Sequence, residues 1–288
     1  MKYAYFPGCV LEGAAKEAHL ATARIAELLG VELVEIPGWS CCGASHVQDV
    51  DELTTTAINA RNIALAEEMG LPIVTVCNTC TFMLRKAKRA LDDGMKDQVR
   101  PILAKAGLEY KGTSEVTHLL WMLIRDYGLD NLRKKVIRPL TGVKVAGYYG
   151  CHLLRPPRIM DFEDHAKPQA LDDLVRALGA EPVDFDAKLD CCGFHAVFTA
   201  EKSVHTMTGK TALSASQAGA DCMVTPCPLC QMQLDMYQPE GRKAIGSTSE
   251  MPVLHLSQLI GLALGLTPQE MKLANHVTSV AVSWPAVR

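Results

Sequence analysis

Apolar and polar positions change period several times along the chain, and each change marks an element. The run "KYAYF" (2–6) reads as a strand entering Gly8 and Cys9. Over 14–30 apolar residues recur at helical spacing, and Gly30 is a natural stop. "VELVEI" (31–36) reads as a strand, 51–70 as a second helix ending at Gly70, and "PIVTV" (72–76) as a short buried strand that delivers Cys77. The series then restarts with a strand at 142–149, a helix over about 168–178, a strand at 181–185, a helix over about 200–218 and a strand at 222–225. Strands alternating with helices predict an α/β fold, each unit a mostly parallel sheet flanked by helices. In such sheets, sites form beyond the carboxyl ends of the strands. Cys9, Cys77, Cys151 and Cys227 all come just after a predicted strand, which puts the cysteines of each unit on one rim.

The restart is an internal repeat. "YFPGC", "CCG" (41–43) and "CNTC" (77–80) are followed in the same order by "YYGC", "CCG" (191–193) and "CPLC" (227–230). Cys42 to Cys77 and Cys192 to Cys227 are both 35 positions, and ten of the 11 cysteines fall on the scheme. "VTHLLWML" (116–123) and "PVLHLSQL" (252–259) extend the likeness beyond the cysteines. Duplication is the simplest origin. The proline and glycine of "RPLTG" (138–142) place a boundary there, giving units 1–139 and 140–288.

Composition narrows the chemistry. The 288 residues are 48% hydrophobic and 21% charged, with net charge −3, as expected of a folded chain with no basic surface for nucleic acid. The longest strongly apolar stretch, "LIGLALGL" (259–266), is far shorter than the roughly 20 residues that span a bilayer. With no signal-peptide pattern at its start, the expected location is cytoplasmic. That compartment keeps thiols reduced, so 11 cysteines point to metal binding or redox chemistry.

Each unit offers five thiols: Cys9, Cys41, Cys42, Cys77 and Cys80, then Cys151, Cys191, Cys192, Cys227 and Cys230. A structural zinc needs four ligands, and so does a cubane iron–sulfur cluster. Adjacent cysteines suit a multinuclear site, where two thiolates hold different irons or one bridges two. Gly43 and Gly193 allow a tight turn against such a group, and Gly8 and Gly150 allow close approach to the first ligand. The pattern favours an iron–sulfur cluster of unusual shape in each unit. Two zinc sites with spare thiols, or two redox dithiols, are the alternatives.

These motifs resemble the CCG-domain family, and most closely the B subunit of heterodisulfide reductase; the resemblance spans nearly the whole chain. It implies two pseudo-twofold-related CCG domains, each holding a non-cubane [4Fe-4S] cluster on its five cysteines. It also implies that a small disulfide is reduced between the facing clusters. Electrons would arrive from partners in the same complex, one small and ferredoxin-like, the other flavin-containing. Relatives in sulfur oxidisers handle a carrier-bound thiol instead. This chain has no ferredoxin cysteine run and no G-x-G-x-x-G, so no flavin or nicotinamide is expected in it, and separate partners are. It departs from the methanogen pattern at its first site, CCG instead of CCP, and after the second CCG, where "FHAVF" (194–198) replaces a glycine-rich run. Phe194, His195 and Phe198 would narrow or repolarise a pocket there.

On this reading His195 is the candidate proton donor. His152 is placed to hydrogen-bond a cluster sulfur. Arg155 is a candidate for binding an anionic substrate, whereas Arg158 reads as solvated surface. His118 and His255 occupy matching positions in apolar helical context and read as core histidines. Cys222 has no counterpart and reads as a buried strand residue. The leading function is a catalytic disulfide or thiol oxidoreductase subunit, an enzyme acting on sulfur groups; an electron relay and a zinc-stabilised interaction protein are the alternatives.

Overall fold

The computed structural model describes residues 1–286. It contains two four-stranded sheets of the same topology. In the first, β1 (Lys2–Phe6), β2 (Glu32–Glu35), β3 (Ile73–Thr75) and β4 (Val116–His118) lie in the order β2-β1-β3-β4, all parallel. In the second, β5 (Lys144–Gly147), β6 (Glu181–Val183), β7 (Cys222–Thr225) and β8 (Val253–His255) lie in the order β6-β5-β7-β8, again all parallel. Parallel neighbours require crossovers, which the intervening helices supply. The α/β architecture and the duplication expected from the sequence are both present.

The topology locates the site. The chain leaves β1 for β2 on one side and returns to β3 on the other, so a crevice opens between the carboxyl ends of β1 and β3. Cys9 and Cys77 flank that crevice, and Cys151 and Cys227 flank its equivalent between β5 and β7.

Two features differ from the sequence reading. The fourth strands, β4 and β8, lie inside segments whose apolar runs read as helix. The helix expected over 14–30 is present as Lys16–Leu29, and a short helix that the sequence reading did not include, Cys9–Gly13, precedes it. The two units interlock. One contiguous buried core runs through both. The amides of Ile137 and Arg138, in the connecting segment, donate to the Ala263 carbonyl at 3.2 and 3.0 Å. Arg85 of the first unit donates to the Ile159 carbonyl of the second at 2.7 Å and pairs with Asp161.

Candidate metal centre

Each C-x-x-C is built from a strand end and a helix start. Cys77 is the N-cap of the Asn78–Ala90 helix and Cys80 lies in its first turn. Cys227 and Cys230 stand identically on the Pro228–Met236 helix, whose Pro228 suits the first helical position. Residues three apart share a helix face, so both sulfurs of a pair point to one side, beside the positive end of the helix dipole.

Close approach of the first loop depends on missing side chains. Gly8 has φ 80°, and a Cβ there would lie 2.9 Å from the Cys80 sulfur; Gly150 has φ 68°, and its Cβ would lie 3.1 Å from the Cys230 sulfur. Gly43 and Gly193 complete the two CCG turns.

The CCG loops are tethered differently. In the first unit, buried Asn59 donates to the Cys42 carbonyl at 2.9 Å, and buried Asn62 exchanges two hydrogen bonds with the Ser40 backbone. In the second, the Tyr148 hydroxyl donates to the Asp190 carbonyl at 2.6 Å, and Arg155 donates to the Leu189 carbonyl at 3.1 Å. Arg155 is otherwise exposed and away from the cleft described below, so the structure brings it to the loop before Cys191 and not to a pocket.

The ten thiols form one continuous series of contacts. Cys9 and Cys41 lie 3.4 Å apart, Cys42 and Cys80 3.7 Å, and Cys151 and Cys191 3.9 Å. Cys41–Cys42 and Cys191–Cys192 are neighbours in sequence, the cysteines of each C-x-x-C share a helix start, and Cys192 interacts with Cys230. The two series meet at Cys77 and Cys227, repeat counterparts whose sulfurs are 3.9 Å apart. Thiols of Cys42 and Cys9 hold Cys41 as a thiolate, its pKa lowered to about 2; Cys151 and Cys192 do the same for Cys191, also to about 2. The Cys9 and Cys151 thiols are pushed up, because each donates to that thiolate and is partly buried.

Among the described residues, no three His, Cys, Asp or Glu side chains converge as ligands of a single ion. The sulfurs are instead strung along an edge. An all-thiol set spread in this way suits a multi-iron group, whose irons occupy separate points, and Gly8 and Gly150 let the first loop lie close against Cys80 and Cys230. Cys222, outside both sets, is fully buried in β7, and burial pushes its thiol up to about 12.

The surroundings of the two sets differ. A cleft of about 170 Å³ opens over the first set. Its walls are Val10 and Leu11 from the first unit and Phe194, Phe198, Pro228 and Leu229 from the second. Phe198 is 87% exposed at its mouth. A polar group borders the same cleft, lined by Ser45, Thr79 and His195, and extends through His152 toward the second set. Thr79 is 3.0 Å from His152 Nδ1 and 3.4 Å from His195 Nε2, while His195 Nδ1 meets Ser45. The two imidazoles lie 5.5 Å apart, and Phe82 stacks on His152 at 4.8 Å. Burial lowers the pKa of both histidines, although His195 keeps an edge open to solvent. Thr79, Ser45, Asn59 and Asn62 escaped the sequence reading. The available signal was the contrast between polar Asn78-Thr79 and apolar Pro228-Leu229 inside otherwise equivalent motifs.

The fold and the motifs have known counterparts. A family model described as a cysteine-rich domain, CCG, matches residues 3–85 and again 145–235, together more than half of the chain. The chain is 51% identical over 276 residues to a Wolinella succinogenes protein named 8-methylmenaquinol:fumarate reductase membrane anchor subunit, covering 96% of each. It is 38% identical over 280 residues to the B subunit of a Methanosarcina acetivorans CoB-CoM heterodisulfide reductase, covering 94% of this chain and 91% of that one. It is 34% identical over 278 residues to an Archaeoglobus profundus protein named for its likeness to the same B subunit, covering 94% and 93%. Among solved structures, a hypothetical protein from Helicobacter pylori matches in fold, with TM-score 0.77 at 16% identity; the match covers 98% of this chain and 52% of that one. By motif, fold and full-length kinship, the chain belongs to the CCG family of cysteine-rich iron–sulfur proteins, and within it to the type of the heterodisulfide reductase B subunit.

Proposed function

We propose that this chain is the iron–sulfur electron-transfer component of a quinol-linked reductase complex, with one four-iron, non-cubane cluster held by each five-cysteine set. The observation that carries the reading is the series of ten thiols, which passes from one unit to the other where the Cys77 and Cys227 sulfurs lie 3.9 Å apart. Iron–sulfur clusters, when bound, take up and release single electrons. The chain's own residues do the rest. Ten thiolates hold the groups, and the helix starts at Cys77 and Cys227 favour their negative charge. Phe194, Phe198 and Leu229 line the cleft over the first set. Asn59 and Asn62 fix its CCG loop.

The 51% kinship with a protein named for an 8-methylmenaquinol:fumarate reductase favours quinol as the electron source over a disulfide as the acceptor. Among the described residues no helix is long and apolar enough to cross a membrane. In this reading the chain therefore meets the membrane at its surface, beside partners that carry flavin and further iron–sulfur centres.

A second reading, reduction of a small disulfide or carrier-bound thiol between the sets, is favoured by one observation. Thr79 gathers His152 and His195, imidazoles able to hold and release protons, between the two sets. The two readings separate on anaerobic mixing of the iron-loaded complex with a reduced water-soluble naphthoquinol, followed by a small organic disulfide. Bleaching of cluster absorbance by the naphthoquinol, unchanged by the disulfide, supports the relay. Recovery of absorbance on adding the disulfide supports the second reading. A complex that naphthoquinol does not bleach contradicts the first.

A further inference from the structure

The fourth strands end in two histidines that reach across the molecule. His118 closes β4 and caps the helix after it, its Nδ1 accepting from the Leu120 amide at 3.0 Å. With Nδ1 an acceptor, the ring hydrogen lies on Nε2, which donates to the Pro226 carbonyl of the other unit at 3.0 Å. His255 repeats the arrangement in reverse. Its Nδ1 accepts from the Ser257 amide at 3.3 Å, and its Nε2 donates to the Val76 carbonyl at 3.2 Å. Both imidazoles are buried, 0% and 1% exposed.

The acceptors are what give the pair meaning. Pro226 and Val76 immediately precede Cys227 and Cys77. A carbonyl and the following amide share one rigid plane. Fixing the Val76 oxygen therefore fixes the plane that carries the Cys77 nitrogen, and fixing the Pro226 oxygen does so for Cys227. Each unit grips the neck of the other unit's C-x-x-C, and between the two grips the Cys77 and Cys227 sulfurs come to 3.9 Å.

We propose that His118 and His255 are positioning residues that set the spacing of the two cysteine sets, each acting through the carbonyl before the opposite unit's first C-x-x-C cysteine. This spacing belongs to the chain itself and does not depend on which substrate the complex uses. A buried histidine that only filled the core, or only capped its helix, would leave the far unit indifferent to its Nε2. The two ring nitrogens do different jobs, so substitution can separate them. Asparagine keeps a short acceptor near the position of Nδ1 and loses the reach of Nε2. Glutamine keeps a donor near Nε2 and weakens the cap.

The test uses the full chain, metal-free and reduced, treated briefly with diamide. The yield of peptide linked through Cys77 and Cys227 is measured by mass spectrometry against that linked through Cys9 and Cys41, whose contact lies away from both histidines. The ratio should fall about ten-fold in His118→Asn and in His255→Asn, because cross-linking follows proximity steeply, and should stay within about two-fold of the native value in His118→Gln and His255→Gln. Thermal melting should show the reverse order, with the glutamine variants the less stable. Asparagine variants that keep the native ratio, or glutamine variants that lose it equally, would overturn the proposal. If one asparagine variant fails to fold, the equivalent change at the other histidine reads the same quantity. In the iron-loaded complex, the asparagine variants should also alter the magnetic interaction between the two reduced sites.

Discussion

Replacing Gly8 with alanine tests how closely the first loop must approach the cysteines. Two costs arise. Gly8 has φ 80° and ψ 154°, a region open essentially to glycine alone, which costs an L-residue about 1–3 kcal/mol. The new Cβ would also sit 2.9 Å from the Cys80 sulfur, about 0.5 Å inside the 3.4 Å at which ordinary contact begins. Cys80 is buried and cannot swing into solvent, so it or the Gly8 loop must shift, at an overpacking cost of about 1–3 kcal/mol. Gly30 supplies the control. It has φ 69° at a helix end, but its Cβ would meet nothing within 4 Å. Gly30→Ala therefore carries only the milder cost of a left-handed residue, about 1–2 kcal/mol, and no contact. Urea unfolding of the metal-free chain should show Gly8→Ala less stable than Gly30→Ala by about 1–3 kcal/mol. Iron retained after anaerobic purification should fall in Gly8→Ala, because Cys80 is displaced, and stay at the native level in Gly30→Ala. Equal stabilities together with full iron in both would refute the argument.

Other substitutions probe the remaining contacts. Cys222→Ser should leave iron content unchanged, since the thiol is buried in β7 outside both sets; loss of half the iron would reassign it. Thr79→Val removes the hydroxyl shared by His152 and His195 and should cost about 1–2 kcal/mol in urea unfolding; no measurable cost would mean that the hydroxyl is dispensable to both rings. Burial lowers the pKa of His118 to about 3 and of His255 to about 4. Unfolded histidine titrates near 6.5, so below that pH the unfolded chain binds more protons and the native state loses stability. Between pH 7 and pH 5 the metal-free chain should lose on the order of 2 kcal/mol per histidine, with the loss continuing towards pH 3. A flat profile in urea titrations at the two pH values would contradict it.

How much of this could be seen in the sequence depended on the kind of signal. The five-cysteine sets were legible because an adjacent pair and a spaced pair at a repeated interval leave few alternatives. Six of the eight strands were legible because each leads into a glycine, a cysteine or a clear helix face. β4 and β8 were not, because three residues cannot show an alternation and both run straight into apolar helices. For the same reason His118 and His255 read as core residues. Their Nε2 partners lie 108 and 179 positions away, and no local pattern encodes such a contact. The polar neighbours of the cysteines were hidden likewise: Asn59 and Asn62 look like ordinary helix residues until the CCG loop is laid against them. The notion of two separate units captured the sheets but not the shared core, since interlocking leaves no composition break.

The central claim is that each five-cysteine set holds a multi-iron group. Its most direct test is quantification of iron, acid-labile sulfide and zinc in the protein purified without oxygen. The account predicts about eight irons and about eight sulfides per chain with little zinc. About two zinc ions per chain and no labile sulfide would contradict it.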